Sequence, residues 1–408
     1  MIEAQSRGSS VQRVLVLAPT PFFGDRGCHV RIYEEVRALA RRGLASEIVT
    51  YRAGRDLPDV IVRRAPTFPG LRPRALGPGY SRPALDAILV GTAYGAIRRF
   101  RPQIIHAHLH EGIAVGIALR TLTRLPLVAD LQGSLTEELI DHDFLHPSGR
   151  VVRMMRRVER WLVHQPDALV SSSTAGAALL AEQGVPPDRI ESLPDGADLE
   201  HFRPLPPDPD LVRHFGLQDK QVVVFLGVLT EYQGIDALLA AVPAVLARVP
   251  RAHFLVMGYP NEDHYRTLAR EAGLSPHVTI PGRIPYDQAA RHLALGTVAV
   301  SAKQSLTEAN GKLLNYMACA LPIVATDTPV NREILGDLGV YASIGDTAAL
   351  AGAVASLLED APRRESLGPA LRTRAETLFS WPSLADRLLR VYARATRSTA
   401  RSTYAAQP

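Results

Sequence analysis

Cysteine, lysine and long apolar runs are what this 408-residue chain has least of. Its two cysteines, Cys28 and Cys319, are far apart in sequence. That spacing argues against a disulfide framework or a four-ligand zinc site and suits a reducing cytosol. The longest apolar stretch, near 348–358, falls short of the roughly 18–20 residues that cross a bilayer. The opening MIEAQSRGSS lacks the apolar centre of a signal peptide, so a cytoplasmic location is expected. Basic runs are missing too, which argues against a nucleic-acid partner. No G-x-G-x-x-G opens a βα unit, so nicotinamide and flavin chemistry is disfavoured. Gly311-Lys312 is followed by Leu313 and lacks the upstream glycine of a Walker loop.

What is present is an apolar fraction of 46% in a length that exceeds one ordinary core. Short apolar runs alternate with helix-length stretches. Residues 14–18, 46–50, 103–107, 126–130, 168–172 and 189–193 read as strands, with a helix over 30–42 after the first. PDGADLEHFRPLPPDPD, at 194–210, is too rich in Pro and Asp for a regular element and reads as a linker. The alternation then restarts, with strands at 222–226, 253–257, 278–280, 298–301 and 323–325 and helices at 235–247 and 312–319. Residues 380–394 read as a closing helix, and the last dozen as a frayed tail. The pattern predicts an α/β chain of two Rossmann-like, doubly wound domains (1–200 and 201–378), followed by 379–408. A cleft is expected where the strands' carboxyl ends face each other.

The strongest local signal is T-E-A-N-G-K-L-L at 307–314, between a strand and a helix. Ala309, Asn310 and Gly311 fall at the helix's first turn, where unpaired N–H groups and the dipole favour an anion. Gly311 allows close approach of a phosphate, and Lys312 adds a charge for a diphosphate. Glu308 is placed to accept hydrogen bonds from sugar hydroxyls. Of only three lysines in the chain, Lys303 and Lys312 cluster here. The competing reading is a helix cap with a solvated Lys and Glu. Similar glycine-bearing turns occur at 227–234 (G-V-L-T-E-Y-Q-G), beginning at Gly227, and at 24–27 (G-D-R-G), with Gly24 and Gly27. Arg26 and Arg31 near the latter are candidates for steering an anion. Ordinary βα loops remain the alternative.

Three further motifs carry less. His106, His108 and His110 alternate after a strand, which puts them on one face, but no carboxylate partner for a metal stands out. Histidines lining a cleft are the preferred reading. Asp141-His142-Asp143 is a literal D-x-D in a helix-rich stretch, where a metal–diphosphate role is disfavoured. Residues 149–165 interleave Val, Met, Trp and Leu with five arginines. A buried apolar face with a solvated arginine face is expected, and docking on anionic lipid is the alternative.

Taken together, LAPTPFFGDRG, IIHAH, SLPDGADLEHFRP, FLGVLTEYQGIDALLAA, SLTEANGKLLNYMACALPIVATDTPVNREIL and FSWPSLADRLLRVY resemble, in order and spacing, the retaining glycosyltransferases of family 4, which have the GT-B fold. The resemblance spans nearly the whole chain. It implies a hexosyltransferase that uses a nucleotide-diphosphate sugar as substrate, with no metal or cofactor, and a closing helix that returns to the first domain. A glycan, lipid-linked or small-molecule acceptor is implied on the first domain near His108, Asp130 and Gln132. Docking of 149–165 at the inner membrane face, the alternative reading of that helix, would suit a lipid-linked acceptor.

The resemblance also exposes departures. The family's phosphate-binding Arg and Lys fall on Val228 and Gln233, and its two glutamates on Thr307 and Asn315. Its active-site His falls on Gln132 or Asp130. A rebuilt site, with Lys303 and Lys312 supplying charge and Glu308 the carboxylate, is favoured over a decayed one. Asn315 is then expected at the ribose, and the donor base near Arg283, Ile284 and the Gly258 turn. A GT-B-fold binder without turnover, or a metal hydrolase using the histidines, are the other classes.

Overall fold

The structure is a computed structural model. It describes residues 11–24, 27–66, 82–136, 140, 146, 149–306 and 308–405, with side chains to 397. Asp141, His142, Asp143, Arg26 and Thr307 lie outside the described residues.

The chain divides into two compact units. The first takes Cys28–Pro194, the strand ahead of it and the closing helix; the second takes Asp195–Ser380. In the first, β1 (Arg13–Ala18), β2 (Ala45–Thr50), β3 (Ile61–Arg64), β4 (Ile104–His108), β5 (Leu127–Leu131), β6 (Ala168–Ser171) and β7 (Ile190–Ser192) form one sheet. Its order is β3-β2-β1-β4-β5-β6-β7, and every pairing is parallel. In the second, β8 (Gln221–Gly227), β9 (Ala252–Gly258), β10 (Val278–Gly282), β11 (Val298–Ser301), β12 (Ile323–Thr326) and β13 (Val340–Ala342) form a parallel sheet ordered β10-β9-β8-β11-β12-β13. Strand order reverses beside β1 in one and beside β8 in the other, as in Rossmann-like folds.

Each sheet is buried on both faces along its inner strands, which are mostly apolar. On β1, Val14, Val16 and Ala18 enter one core while Leu15 and Leu17 enter the opposite one. On β8, Val223 and Phe225 face one side and Val222 and Val224 the other. This period of two is the strand repeat itself. The closing helix, Trp381–Ala405, sends Trp381, Leu384, Leu388, Val391, Tyr392 and Ala395 into the first unit's core at helical spacing. It runs past the expected stop at 394, since residues 395–405 contain no Gly or Pro to end it.

Two strands went unread in the sequence, β3 and β13. Both are short edge strands, IVRR and VYA, without the unbroken apolar run of an inner strand.

Candidate functional site

In the second unit, β9, β8 and β11 are neighbours, so their carboxyl ends share one edge of the sheet. Gly227 ends β8, paired with Gly258 at the end of β9. A Cβ on Gly258 would lie 1.7 Å from the Gly227 carbonyl oxygen, so only glycine fits. After β8 the chain makes the turn Glu231–Gln233, which Gly234 closes at φ +80. There a Cβ would stand 2.3 Å from the Ala302 carbonyl oxygen. The turn is thereby seated on the loop leaving β11. Gly234→Ala is expected to cost about 2 kcal/mol or more, through both backbone strain and this clash, read as a lower urea midpoint at unchanged slope. A midpoint equal to the parent's would show that the seat is loose.

The β11 loop carries the two lysines. Lys303 is buried; its Nζ donates to the Ala309 carbonyl at 2.7 Å and pairs with Glu308 Oε2 at 3.0 Å. Tyr232 OH donates to the same Glu308 oxygen at 2.6 Å. Glu308 is therefore held from two sides, one of them a tyrosine that sequence reasoning did not single out. Its position beside Gln233 and Gly234 was the available signal. Asn310 is buried, and its amide donates to Ser301 Oγ at 3.0 Å and Asn331 Oδ1 at 2.8 Å. The amide nitrogen thereby pins the loop, while Oδ1 has no hydrogen-bond partner among the described residues.

The helix Gly311–Ala318 starts at this edge. Tyr316 accepts from Leu226 N at 2.8 Å, fastening the helix to β8. Lys312 extends toward β8, donates to Gln233 Oε1 and stands 4.7 Å from the centre of the Phe225 ring. Its side chain is part-buried against Gly227. Burial pulls its pKa down to about 7, the charge of Lys303 adds to that, and Glu308 opposes it. A cation so destabilised gains most from an anion, and the helix's first amides lie next to it. Gly227, Lys303, Glu308, Ala309, Asn310, Gly311 and Lys312 thus gather in one place. Asn315 lies one turn along from Lys312 and is half-buried. Arg283 is exposed, with its guanidinium 5.2 Å from the centre of the Tyr259 ring next to Gly258, and Ile284 packs on the core.

The first unit's candidates sit differently. Gly24 N donates to His29 Nδ1 at 2.8 Å, and Gly27 opens the helix Gly27–Arg41. Arg31, expected near an anion, is instead buried. It donates to Asp130 Oδ2 at 2.8 Å and to the Leu193 carbonyl at 3.0 Å. It lies on the inward face of its helix, so its charge is consumed inside the unit. Asp130 is buried with it, and Gln132, half-buried, begins the loop beyond β5.

The three histidines do not share one strand face. β4 ends at His108; Leu109 then turns left-handed at φ 65, and His110 stands in the next helix, 3.3 Å from Glu159. His106 and His108 do share a face, and they have the carboxylate that sequence reasoning missed. Glu35 Oε1 lies 3.0 Å from His106 Nδ1, which Tyr392 OH also meets at 2.8 Å. Glu35, His106 and His108 are a set that offers three metal-ligand atoms within 4.8 Å of one another. All three are buried, and the Arg31 charge alongside opposes a cation. Burial, with help from His106 and Arg31, pushes the His108 pKa well below its ordinary value against the pull of Glu35. His108 is neutral and closed to solvent.

Two parallel Rossmann-like sheets, the second with glycine turns, two lysines and a helix start at the carboxyl ends of its strands, form an arrangement suited to a phosphate-bearing ligand. Residues 26–196 match the glycosyl transferase 4-like domain, and 220–360 match the glycosyl transferases group 1 family. The D-inositol 3-phosphate glycosyltransferase of Rhodococcus erythropolis is 32% identical, over 92% of this chain and 88% of its own. Among solved structures, sucrose-phosphate synthase from Thermosynechococcus elongatus superposes with TM-score 0.77 at 20% identity, covering 97% of this chain and 100% of the other. Anabaena HepE in complex with UDP-glucose gives 0.75 at 16%, covering 93% and 99%. The chain belongs to the group 1, family 4-like glycosyltransferases.

Proposed function

We propose that this chain transfers a sugar from a nucleotide-diphosphate donor to an acceptor hydroxyl with retained anomeric configuration and without a metal. The observation that carries it is Lys312, part-buried beside Gly227 and the first amides of its helix, with its charge under-compensated. The donor's bond from C1 to the diphosphate oxygen breaks while the acceptor oxygen bonds C1 on the same face, and the acceptor's hydroxyl proton passes to the departing diphosphate oxygen. Lys312 and the Ala309–Gly311 backbone meet the charge left on the diphosphate. Glu308, oriented by Lys303 and Tyr232, holds the donor sugar. Asn315 takes the ribose, and the base lies toward Gly258, Arg283 and Ile284. Gly24 and Gly27 are proposed as phosphate contacts within their own turn. The acceptor, a glycan, lipid-linked or small molecule, meets the first unit near Gln132. That HepE is solved with UDP-glucose supports a donor of this chemistry.

A thermal-shift screen of UDP-, GDP- and ADP-sugars tests this, because a ligand that binds only the folded chain raises its melting temperature. One donor class should raise it in the parent chain and fail to do so in Lys312→Ala. A flat response to every donor would reject the proposal.

Val228 and Gln233, where the family carries Arg and Lys, favour a second reading: a nucleotide-sugar binder without turnover. Donor hydrolysis by the parent, Lys312→Ala and Glu308→Ala discriminates, since a binder shows none in any of the three. Hydrolytic metal chemistry at the histidines is disfavoured because Glu35, His106 and His108 are closed to any substrate.

Among the described residues no helix is long and apolar enough to cross a membrane. The proposed location is cytoplasmic, with peripheral contact at the inner membrane face.

A further inference from the structure

Beside β4 the first unit buries a group of polar atoms that the reaction proposed above does not use. Glu35 lies on the helix Gly27–Arg41, His106 and His108 on β4, and Tyr392 on the closing helix, and all four are buried. Both Glu35 carboxylate oxygens, Nε2 of His106 and both ring nitrogens of His108 have no hydrogen-bond partner among the described residues. Buried polar groups are ordinarily paired, so this many orphans in one place call for an occupant. The charges point the same way. Arg31, which by itself opposes a cation, is matched by Asp130 at 2.8 Å. Glu35 faces only the two histidines. A carboxylate buried without a counter-ion is costly, and a cation beside it removes that cost.

The spacing of these atoms suits a small metal shell. One ligand atom from each of Glu35, His106 and His108 lies within 4.8 Å of the other two. Glu35 Oε1 is 3.0 Å from His106 Nδ1 and 3.7 Å from His108 Nε2. Ligands bound at about 2.0–2.1 Å to a tetrahedral zinc stand about 3.3 Å apart, between those two distances. The Tyr392 oxygen, 2.8 Å from the same Nδ1, is near enough to be the fourth ligand. On the other side of the ring, His106 Nε2 stands 3.9 Å from Asp130 Oδ2. A carboxylate placed there holds a metal-bound imidazole in its tautomer. As a phenolate, Tyr392 brings the summed charge of a divalent ion, Glu35 and itself to zero, its proton leaving to water as the chain folds around the ion.

We propose that Glu35, His106, His108 and Tyr392 hold one structural zinc ion, which ties the helix Gly27–Arg41 and the closing helix to β4. Two imidazoles and two oxygens in a four-ligand set select zinc over magnesium or calcium, which take six or more oxygens. The ion secures a contact between residues 286 positions apart in the chain, His106 and Tyr392. Full burial keeps substrates away from it, so its role is to hold the fold, and the proposed transfer stays free of metal. The inference does not rest on that transfer.

The untagged full chain is assayed for bound metals by mass spectrometry. It is then unfolded in urea with chelator and refolded with zinc, with cobalt(II) or with chelator alone. The parent should carry one zinc per chain and keep it through dialysis against chelator, because the ligands are closed to solvent. Refolding with zinc should raise the melting temperature by about 5 °C or more over the chelator sample. Refolding with cobalt should give the visible ligand-field bands of a tetrahedral ion. His108→Gln should lose the metal, and Tyr392→Phe should hold it about tenfold or more weakly. His110→Gln, whose ring faces Glu159 instead, should retain it. No zinc, no cobalt bands and equal melting with and without chelator would mean that internal waters fill the group, and would overturn the proposal. Zinc held equally by His108→Gln would overturn it too, by placing the ion elsewhere. The parent's own metal content, melting shift and cobalt spectrum decide the outcome even where a variant does not fold.

Discussion

Lys312→Met is expected to bind the nucleotide sugar that stabilises the parent in the thermal-shift screen about 30- to 150-fold more weakly than the parent chain while melting no earlier. The lost affinity is that of a charge-assisted hydrogen bond to phosphate, about 2–3 kcal/mol. Stability is kept because the substitution removes a poorly solvated charge whose folded pKa is already pulled down to about 7. That value also sets the response to pH. The unfolded lysine keeps its proton up to the ordinary 10.5, the folded one only to about 7. Between those values the unfolded state holds the extra proton, so this residue makes stability rise with pH across the window. A bound diphosphate restores the proton. Donor affinity therefore falls as pH climbs above about 7, at most about tenfold per pH unit. Both slopes should be missing from Lys312→Met. Calorimetric titration with that donor between pH 6 and 9 measures the affinity slope and urea unfolding over the same range the stability slope, and a variant that keeps the parent's affinity and slopes refutes the assignment of Lys312.

Arg31→Met should be the most damaging of the buried substitutions in the first unit. It strands Asp130, whose carboxylate is fully buried and takes two bonds from that guanidinium, at 2.8 and 3.1 Å. Removing one partner of a buried pair costs about 3–5 kcal/mol, because the other charge is left unsolvated. For a unit of this size that lowers the melting temperature by roughly 6–20 °C. Arg31→Met combined with Asp130→Leu should recover most of the loss, because no charge is then buried alone. Urea unfolding of the two singles and the double closes the cycle. A double variant as unstable as the singles would show that the pair is not the source. Donor binding, proposed for the second unit, should survive in all three.

Much of what gathers at the second sheet's edge was legible in the sequence. Gly227, Gly234, Glu308 and Lys312 lie next to strand ends, and a phosphate-type edge needs glycine, amides and a cation there, all local features. Gly258 and Asn310 were named for a ligand, yet the structure shows what else holds them: a 1.7 Å contact that forbids a side chain, and an amide clamped to Ser301 and Asn331. The histidine row misled because strand alternation was extended past His108, where a left-handed Leu109 breaks it. The arginine helix, Arg150–Val163, misled in a different way: Val152, Leu162 and Val163 turn inward, but Val151, Met154, Val158 and Trp161 are 49–59% exposed. A hydrophobic stripe wider than the surface beneath it looks the same in sequence as one that is wholly covered, and the first unit covers only part of this one.

By itself the sequence determined the α/β class, all the inner strands and the places where glycine-bearing turns fall, because periodicity, glycine and proline act over a few residues. Only the tertiary structure decided which charges are spent and which are available. Arg31 meets Asp130 across 99 positions, Lys312 meets Gln233 across 79, and Tyr392 meets His106 across 286. A buried charge or polar group must find whatever partner the packed fold places beside it. No spacing along the chain specifies that neighbour.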